Sequence, residues 1–152
     1  MIILGFTAAL ILTCSCFLMH FVALRSLAKL VYRNEHRLHR PLLIVLLSLF
    51  ALHLAEVTIY AFGISLLEAA KVGSLTGQIR GSEASWIVDH FYFSIANYTT
   101  LGIGDIEPQG ALRIVAGIEA LNGLILIAWS ASFTYLVMEK LWGKGGPAAQ
   151  ED

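Results

Sequence analysis

Three long apolar runs constrain the fold of this chain more than any other feature. Residues 1–24 contain no Asp, Glu, Lys or Arg, residues 41–67 are interrupted by His53 and Glu56, and residues 112–138 carry few charges. Each run is long enough to cross the roughly 30 Å hydrocarbon core of a bilayer as an α-helix. With 57% of its residues hydrophobic and 14% charged, the chain has the composition of a membrane protein. The sequence predicts an all-α membrane protein with three transmembrane helices.

The segment 25–40 between the first two runs is rich in Arg and Lys and has a single acidic residue. Basic loops stay in the cytoplasm, which predicts an external N-terminus and a cytoplasmic C-terminus. Four apolar residues at helical spacing favour a helix lying on the inner membrane surface, with a solvated linker as the alternative. These residues are Leu24, Leu27, Ala28 and Val31.

The segment between the second and third runs must then lie on the outer side of the membrane. Residues 68–85 are polar and contain glycine, which predicts an extracellular turret. Residues 86–98 are apolar and aromatic but too short to span a bilayer, which predicts a re-entrant helix. The tail, residues 143–152, is rich in glycine and alanine and is predicted to be flexible.

Residues 99–105 follow the short aromatic helix and read Thr99-Thr100-Leu101-Gly102-Ile103-Gly104-Asp105. A row of successive carbonyls can face one axis only if the backbone alternates in handedness, and glycine adopts positive φ without steric penalty. Non-helical backbone at membrane depth must be buried in protein or line water. Four such loops around an axis can replace the hydration shell of a cation with carbonyl oxygens.

This segment resembles the selectivity filter of potassium channels, which reads Thr-Val-Gly-Tyr-Gly-Asp after a further Thr. The resemblance extends over about residues 84–140 and is greatest to small bacterial members with three spans. It implies a homotetramer in the bacterial inner (plasma) membrane that conducts K⁺, with Na⁺ as the alternative ion. It implies no cofactor and no nucleic-acid partner. The matching residues are Thr99, Thr100, Gly102, Gly104 and Asp105.

The resemblance also implies roles for individual residues. Asp105 and Glu107 would form rings of negative charge at the outer mouth, whereas a solvated turn, with Asp105 tied to a neighbouring helix, is the alternative. The ion-binding residues would be Thr100, Leu101, Gly102, Ile103 and Gly104.

Two further groups of residues complete the predicted pore. Filter support is assigned to Phe93, Tyr98, Thr99 and Glu119, and Glu119 is expected to brace the pore helix by a hydrogen bond. Counting from Arg113 places Gly123 at the glycine hinge of the family's inner helix. The same register predicts that Ile127, Ala131 and Tyr135 line the pore.

Two residues depart from the family pattern. Ile103 replaces the Tyr of the filter, and Phe93 stands where many members have a Trp that bonds to that Tyr. We expect Ile103 to pack against Phe93 and Leu101 instead, so that the filter is held by apolar contacts. A weakly selective cation channel on the same scaffold is the alternative to a potassium channel.

Histidine residues occur both within and between the apolar runs. His53 and Glu56 are three residues apart on one helix face and form either a structural pair or a pH sensor. His20, His36 and His39 are interpreted as interfacial residues. No metal site is predicted beyond that for the permeant monovalent cation.

Two other classes of protein stay open as alternatives. An intramembrane metal-dependent enzyme could use His53, Glu56 and Glu119, although the chain lacks the His-Glu-x-x-His and Gly-x-Ser-x-Gly motifs. A membrane subunit with a pore-like loop that does not conduct is the second. Because the chain lacks both motifs, we predict no enzyme activity, and single-channel currents would separate a conducting from a non-conducting subunit.

Overall fold

The structure is a computed structural model that describes residues 1–33, 41–78 and 83–143. Three of its helices are long and apolar enough to cross a membrane, which confirms the prediction of three transmembrane helices. A shorter helix and two short strands lie between the second and third of them. In chain order the elements are α1 Ile2–Arg33, α2 Pro41–Ala69, β1 Gly73–Gly77, α3 Glu83–Tyr98, β2 Ile106–Gly110 and α4 Leu112–Gly143.

Helix α1 continues past residue 24 as far as Arg33, into the segment predicted to be a linker or a surface helix. The reason is that the apolar residues of this part of α1 pack against α2 and α4. Leu24 and Val31 are buried in a cluster with Leu49 of α2 and Val137 of α4. These residues therefore pack inside the protein, not along the membrane surface, and residues 34–40 lie outside the described residues.

Helix α1 lies beside α4 along its whole length. At one end, a Cβ atom placed on Gly5 would lie 2.9 Å from the Cβ atom of Ala111, just before α4 begins. At the other end, the ammonium group of Lys140 lies 3.6 Å from the ring centre of Tyr32. The two helices therefore run in the same direction, and α2 returns between them, as expected for a chain that crosses a membrane three times.

Strands β1 and β2 form an antiparallel hairpin, which the polar character of residues 68–85 did not predict. The pairing runs from Gly73 opposite Gly110 to Gly77 opposite Ile106. Gly77 has a φ of 121°, and a side chain there would overlap the carbonyl oxygen of Asp105. The hairpin thus joins the end of α2 to the residue that follows the predicted filter.

The remaining helix bounds differ modestly from the predicted ones. Helix α2 extends to Ala69, and α3 begins at Glu83 and not at residue 86. Helix α4 continues beyond residue 138 to Gly143, and residues 144–152 lie outside the described residues. The main apolar cluster sits where α1, α2, α3 and α4 meet, and its members include Ala9, Tyr60, Phe93, Val115 and Leu126.

Candidate functional site

The backbone after α3 alternates in handedness over the predicted filter. The φ angle is 59° at Thr100, 56° at Gly102 and 81° at Gly104, and no positive φ occurs at the two residues between them. This is the pattern expected if successive carbonyls face one axis. Glycine adopts such angles freely, whereas a β-branched residue such as threonine does so only under constraint. Thr100 takes the left-handed conformation that closes the C-terminus of α3, as Lys71 does after α2, and the sequence did not reveal this.

The start of this segment is held by the last turn of α3. The backbone N–H groups of Leu101 and Gly102 both donate to the carbonyl of Ala96, at 2.9 and 3.3 Å. The hydroxyl of Thr99 donates to the carbonyl of Ile95 at 2.7 Å. These bonds satisfy carbonyls at the helix C-terminus that have no partner within the helix. The chain consequently leaves α3 in one fixed direction.

The end of the segment is held through Asp105. Its carboxylate accepts a hydrogen bond of 2.8 Å from the hydroxyl of Tyr92 and one of 3.0 Å from the N–H of Ile106. Its carbonyl accepts from the N–H of Gln78 at 2.9 Å. The hydrogen bond to the carboxylate raises the pKa of the Tyr92 phenol above its ordinary value. Asp105 is thus tied to a neighbouring helix, whereas Glu107 is exposed on β2.

Tyr92 was missed by the reasoning from sequence, although it is one residue from Phe93 in the same aromatic run. Tyr92 precedes Asp105 by 13 residues in the sequence, and the fold brings the two side chains together at the end of the predicted filter. Ile103 and Phe93 cannot form the Tyr–Trp hydrogen bond that the resemblance would place there. The hydrogen bond from Tyr92 to Asp105 ties α3 to this segment instead.

The middle of the segment has few contacts within the chain. The side chains of Leu101 and Ile103 are 66% and 53% exposed, and Cβ atoms placed on Gly102 and Gly104 would meet nothing within 4 Å. Phe93 is 3% exposed in the main apolar cluster, of which neither Leu101 nor Ile103 is a member. Within one chain, Ile103 is thus exposed while Phe93 is buried, and packing of Ile103 on Phe93 in an assembly stays a prediction.

A buried polar cluster lies behind the end of α3. The hydroxyl of Tyr98 lies 2.5 Å from Glu56 Oε2 and 2.8 Å from His53 Nδ1. Glu56 also contacts His20 Nδ1 through Oε1 at 2.8 Å and His53 Nδ1 through Oε2 at 3.0 Å. Ser130 of α4 completes the group. We refer to these five residues as the His–Glu cluster.

His20 was interpreted from the sequence as an interfacial residue, and that interpretation is wrong. It is fully buried, because α1 extends to Arg33 and so places His20 well inside the helix, facing Glu56. The predicted pairing of His53 with Glu56 is present, and the structure adds partners from three other helices. A pH-sensing role for His53 and Glu56 stays a prediction.

Glu119 of α4 reaches α3, as a brace for the pore helix requires. Its Oε1 lies 2.5 Å from the hydroxyl of Ser94, which also lies 2.9 Å from the carbonyl of Val57. One hydroxyl proton cannot serve two acceptors, so both contacts are satisfied only when Glu119 carries a proton. Its Oε2 and the side-chain amide of Asn122 have no hydrogen-bond partner among the described residues.

Gly123 packs directly against the end of α3. A Cβ atom at this position would overlap the carbonyl oxygen of Tyr98 and lie 2.9 Å from its ring carbon Cγ. Helix α4 is continuous through Gly123, so the glycine here allows close approach, and its predicted hinge role stays a prediction. Ile127, Ala131 and Tyr135 are exposed along α4 and available to line a pore.

Comparison with known proteins places this geometry in a family. The model of an ion channel family matches residues 43–140. The chain is also 38% identical over 63 residues to two-pore potassium channel 1 of Arabidopsis thaliana, a match that covers 40% of this chain and 17% of that protein. No solved structure matches. The resemblance to potassium channel pore domains is therefore confirmed, and the chain is an integral membrane protein that belongs to this ion channel family.

Proposed function

We propose that this chain is one of four identical subunits of a potassium-type cation channel. Backbone carbonyls from Thr100 to Gly104, together with the Thr100 hydroxyl, would coordinate dehydrated K⁺ on the four-fold axis. The observation that carries this proposal is the alternation of positive φ at Thr100, Gly102 and Gly104. The positive φ of Thr100 also closes the C-terminus of α3, as that of Lys71 closes α2, so the two glycines are the more specific part of this pattern.

The need for further subunits follows from the open middle of the segment. Backbone polar groups at membrane depth must be satisfied by protein, by water or by an ion. The segment is anchored at Ala96 and Asp105, but Gly102 and Gly104 face open space in one chain. Three more copies around an axis would enclose this space, and permeant ions would supply the missing partners for the carbonyls.

The left-handed conformation of Thr100 fixes the direction in which the chain enters the proposed filter. A residue held in a sparsely populated region of φ/ψ space raises the energy of the fold by about 1–3 kcal/mol. Such strain persists only where the surroundings enforce it, and here the enforcing contacts are the bonds at Ala96 and Asp105. They hold the filter residues in one geometry before any ion binds.

The proposed orientation places the N-terminus outside and the C-terminus in the cytoplasm of the plasma membrane, as in bacterial channels. Arg25, Lys29 and Arg33 lie in the last turns of α1, and Lys140 near the end of α4 lies over Tyr32. These four basic residues lie at one end of the bundle, against Lys71 and Arg113 at the other, and the positive-inside rule assigns the more basic end to the cytoplasm. The filter and the hairpin lie toward the other end.

Selectivity for K⁺ over Na⁺ is proposed on the same grounds. Carbonyl rings and the Thr100 hydroxyl ring do not require a Tyr at position 103, and the bond from Tyr92 to Asp105 supplies a polar tether near the outer end. A weakly selective channel is the second candidate, because Ile103 is 53% exposed in one chain and forms no polar bond behind the filter. Gly123, Ile127, Ala131 and Tyr135 would belong to the inner helix that lines the cavity.

The test is ion flux through purified protein in liposomes, combined with cross-linking to count subunits. We expect a tetramer whose reversal potential in mixed gradients follows K⁺. Gly104→Ala should abolish flux while the tetramer persists, because alanine disfavours a φ of 81°. Gly117→Ala is the matched control, since a Cβ there would meet nothing within 4 Å.

Three outcomes would contradict the proposal in different ways. Equal permeability to K⁺ and Na⁺ would support the weakly selective channel. A tetramer without flux would favour a non-conducting subunit. A monomer or dimer, which cannot surround an axis with four loops, would exclude the proposed filter altogether and reopen the alternative of an intramembrane enzyme.

A further inference from the structure

We propose that His20, His53 and Glu56 form a binding site for a divalent transition-metal ion such as Zn²⁺, with Tyr98 as the fourth ligand. The site would join α1, α2 and the last residue of α3 before the filter. It lies apart from the permeant-ion site and does not depend on conduction. The sequence predicted no such site, because His20 is in a different helix from His53 and Glu56.

The positions of the ligand atoms support this inference first. One donor atom each from His20, His53 and Glu56 lie within 4.8 Å of one another. Zinc bonds of about 2.0–2.2 Å in a tetrahedral site set neighbouring ligand atoms about 3.3–3.6 Å apart. The contacts of 2.8 Å from His20 to Glu56 Oε1 and of 3.0 Å from His53 to Glu56 Oε2 involve different carboxylate oxygens, so the carboxylate must turn as these contacts open. Small side-chain rotations would admit the ion.

The ligand types also suit such an ion. Two imidazoles and one carboxylate, with a fourth position for an oxygen, are a recurrent set in zinc sites. Tyr98 supplies that oxygen, since its hydroxyl lies 2.5 Å from Glu56 Oε2 and 2.8 Å from His53 Nδ1. Alkaline-earth ions prefer all-oxygen ligands, so the nitrogen donors favour zinc, cobalt or nickel.

The second observation is how the two imidazoles are oriented. Both direct Nδ1 toward Glu56, and both direct Nε2 toward the hydroxyl of Ser130, at 3.0 Å from His53 and 3.3 Å from His20. Histidines that bind a metal through one nitrogen almost always donate the other N–H to an acceptor. A single hydroxyl oxygen has two lone pairs and can accept from both.

Without a metal, the same arrangement lacks one hydrogen. An ionised carboxylate only accepts, so both Nδ1 atoms must carry hydrogen to bond with Glu56. Neutral histidines then have two bare Nε2 atoms, and Ser130 has one hydroxyl hydrogen for the pair. A proton on one imidazole would supply that hydrogen and give an imidazolium beside the Glu56 carboxylate. A metal ion on the Nδ1 side does so in another way, because both histidine hydrogens then lie on Nε2 and Ser130 accepts them.

The charge balance allows the ion to lie within the membrane. Tyr98 would bind as a phenolate and release its hydroxyl proton to solvent. The divalent ion, the Glu56 carboxylate and the phenolate then give zero net charge, which avoids the large penalty for an isolated buried charge. His20 and Glu56 have fully buried side chains, whereas the His53 side chain is 20% exposed. His53 is therefore the side from which an ion would enter.

The experiment uses the full-length protein in detergent, freed of metal with a chelator and titrated with Co²⁺. We expect saturable binding of one Co²⁺ per chain, with the intense visible absorption of a four-coordinate site, and displacement of Co²⁺ by Zn²⁺. His20→Gln and His53→Gln should each abolish this absorption. Ser130→Ala keeps all ligands and should weaken binding by about 10- to 100-fold.

Control variants separate this site from other metal-binding groups. His90→Gln alters a histidine that contacts Glu68 at 2.8 Å and should leave the titration unchanged. Cys16→Ala removes the buried thiol one turn before His20 and should also leave the absorption unchanged. Thermal unfolding without metal identifies any ligand variant that fails to fold, and Ser130→Ala then decides the question.

Two results would overturn the proposal. The first is a Co²⁺ spectrum that stays that of the weakly absorbing hydrated ion at saturating protein. The second is a titration that is identical in the native protein, in folded His20→Gln and His53→Gln variants, and in Ser130→Ala. Loss of ion flux in a ligand variant would bear on the channel and not on the metal site.

Discussion

The segment proposed to form the filter, residues 99–105, is held at its two ends by different kinds of structure. At the inner end, Tyr98 belongs to the buried His–Glu cluster, whose members come from four helices. At the outer end, Asp105 is bound by Tyr92 and Ile106, which are close in sequence, and by Gln78 next to the hairpin. Loss of an inner contact leaves buried groups without partners, whereas water can replace an outer one. The inner end should therefore govern assembly, and the outer end the ion pathway.

The largest expected effect is that of Glu56→Ala at the inner end. This change leaves His20 Nδ1 and the hydroxyl of Tyr98 without their carboxylate partner, and each buried group left unsatisfied destabilises a protein by about 1–3 kcal/mol. We expect the tetramer to be lost, or its thermal unfolding temperature to fall steeply, in lipid nanodiscs. Glu107→Gln, at an exposed carboxylate, is the control. Unfolding temperatures that match in the two variants would remove the distinction between the ends.

Gly123→Ala should have the next largest effect. The added methyl group would overlap the carbonyl of Tyr98, and overpacking of this kind destabilises by about 1–3 kcal/mol. The displaced end of α3 should also reduce K⁺ flux. Gly117→Ala on the same helix should be neutral or stabilise by up to about 1 kcal/mol. If both variants behave alike in thermal unfolding and flux, the close approach of α3 and α4 is not as described.

Tyr92→Phe tests whether the outer end of the segment affects selectivity more than stability. It removes the hydroxyl that donates to Asp105, so we expect several-fold lower K⁺ over Na⁺ selectivity, measured from reversal potentials, with little change in thermal unfolding. Tyr32→Phe is the control, because a phenylalanine ring still accepts the Lys140 cation. An unfolded Tyr92→Phe variant would mean that the outer end is also part of the folding core.

The pH dependence of this outer bond has a definite sign. Since the carboxylate of Asp105 raises the pKa of Tyr92, the phenol is protonated in the folded protein to a higher pH than in the unfolded chain. Its contribution is complete below the ordinary tyrosine pKa of about 10 and is lost as pH rises through the folded value. Selectivity of the native channel should accordingly change little between neutral pH and about pH 9, as measured by reversal potentials.

The smallest effect is expected for Glu107→Gln. Glu107 is exposed on β2, and its removal should change the free energy of unfolding by less than about 0.5 kcal/mol. Four fewer negative charges at the outer mouth should lower single-channel conductance in dilute salt. At about 1 M salt, where charges are screened beyond about 3 Å, the difference should vanish. A deficit that persists in concentrated salt would indicate a direct contact with the permeant ion.

The parts of the structure that depend on local patterns could be predicted from the sequence. Apolar length identified the three spans, and the glycines at 102 and 104 indicated positive φ, which the structure has. The hairpin was missed because β1 reads Gly-Ser-Leu-Thr-Gly, without apolar alternation, and β2 contains Pro108. The extension of α1 to Arg33 was missed because basic residues interrupt a stripe that only packing against α2 and α4 makes helical.

The polar contacts could not be predicted, since they join residues far apart in sequence. His20 and Glu56 are 36 positions apart, and Ser130 and His20 are 110 apart. Nothing in the periodicity of α1 distinguishes a histidine that faces lipid from one that faces α2. For Glu119, its position in the third span was enough to predict a contact with α3, but not that Ser94 would be the partner.

The pairing of α1 with α4 at both ends has a mechanical consequence. Gly5 touches Ala111 at one end, and Lys140 lies over Tyr32 at the other. If the lower half of α4 tilts away from the axis, α1 must move with it as a rigid strut and push aside the surrounding lipid. We therefore expect the opening of the proposed channel to include work against the lateral pressure of the bilayer, and its open fraction to change with membrane tension and thickness.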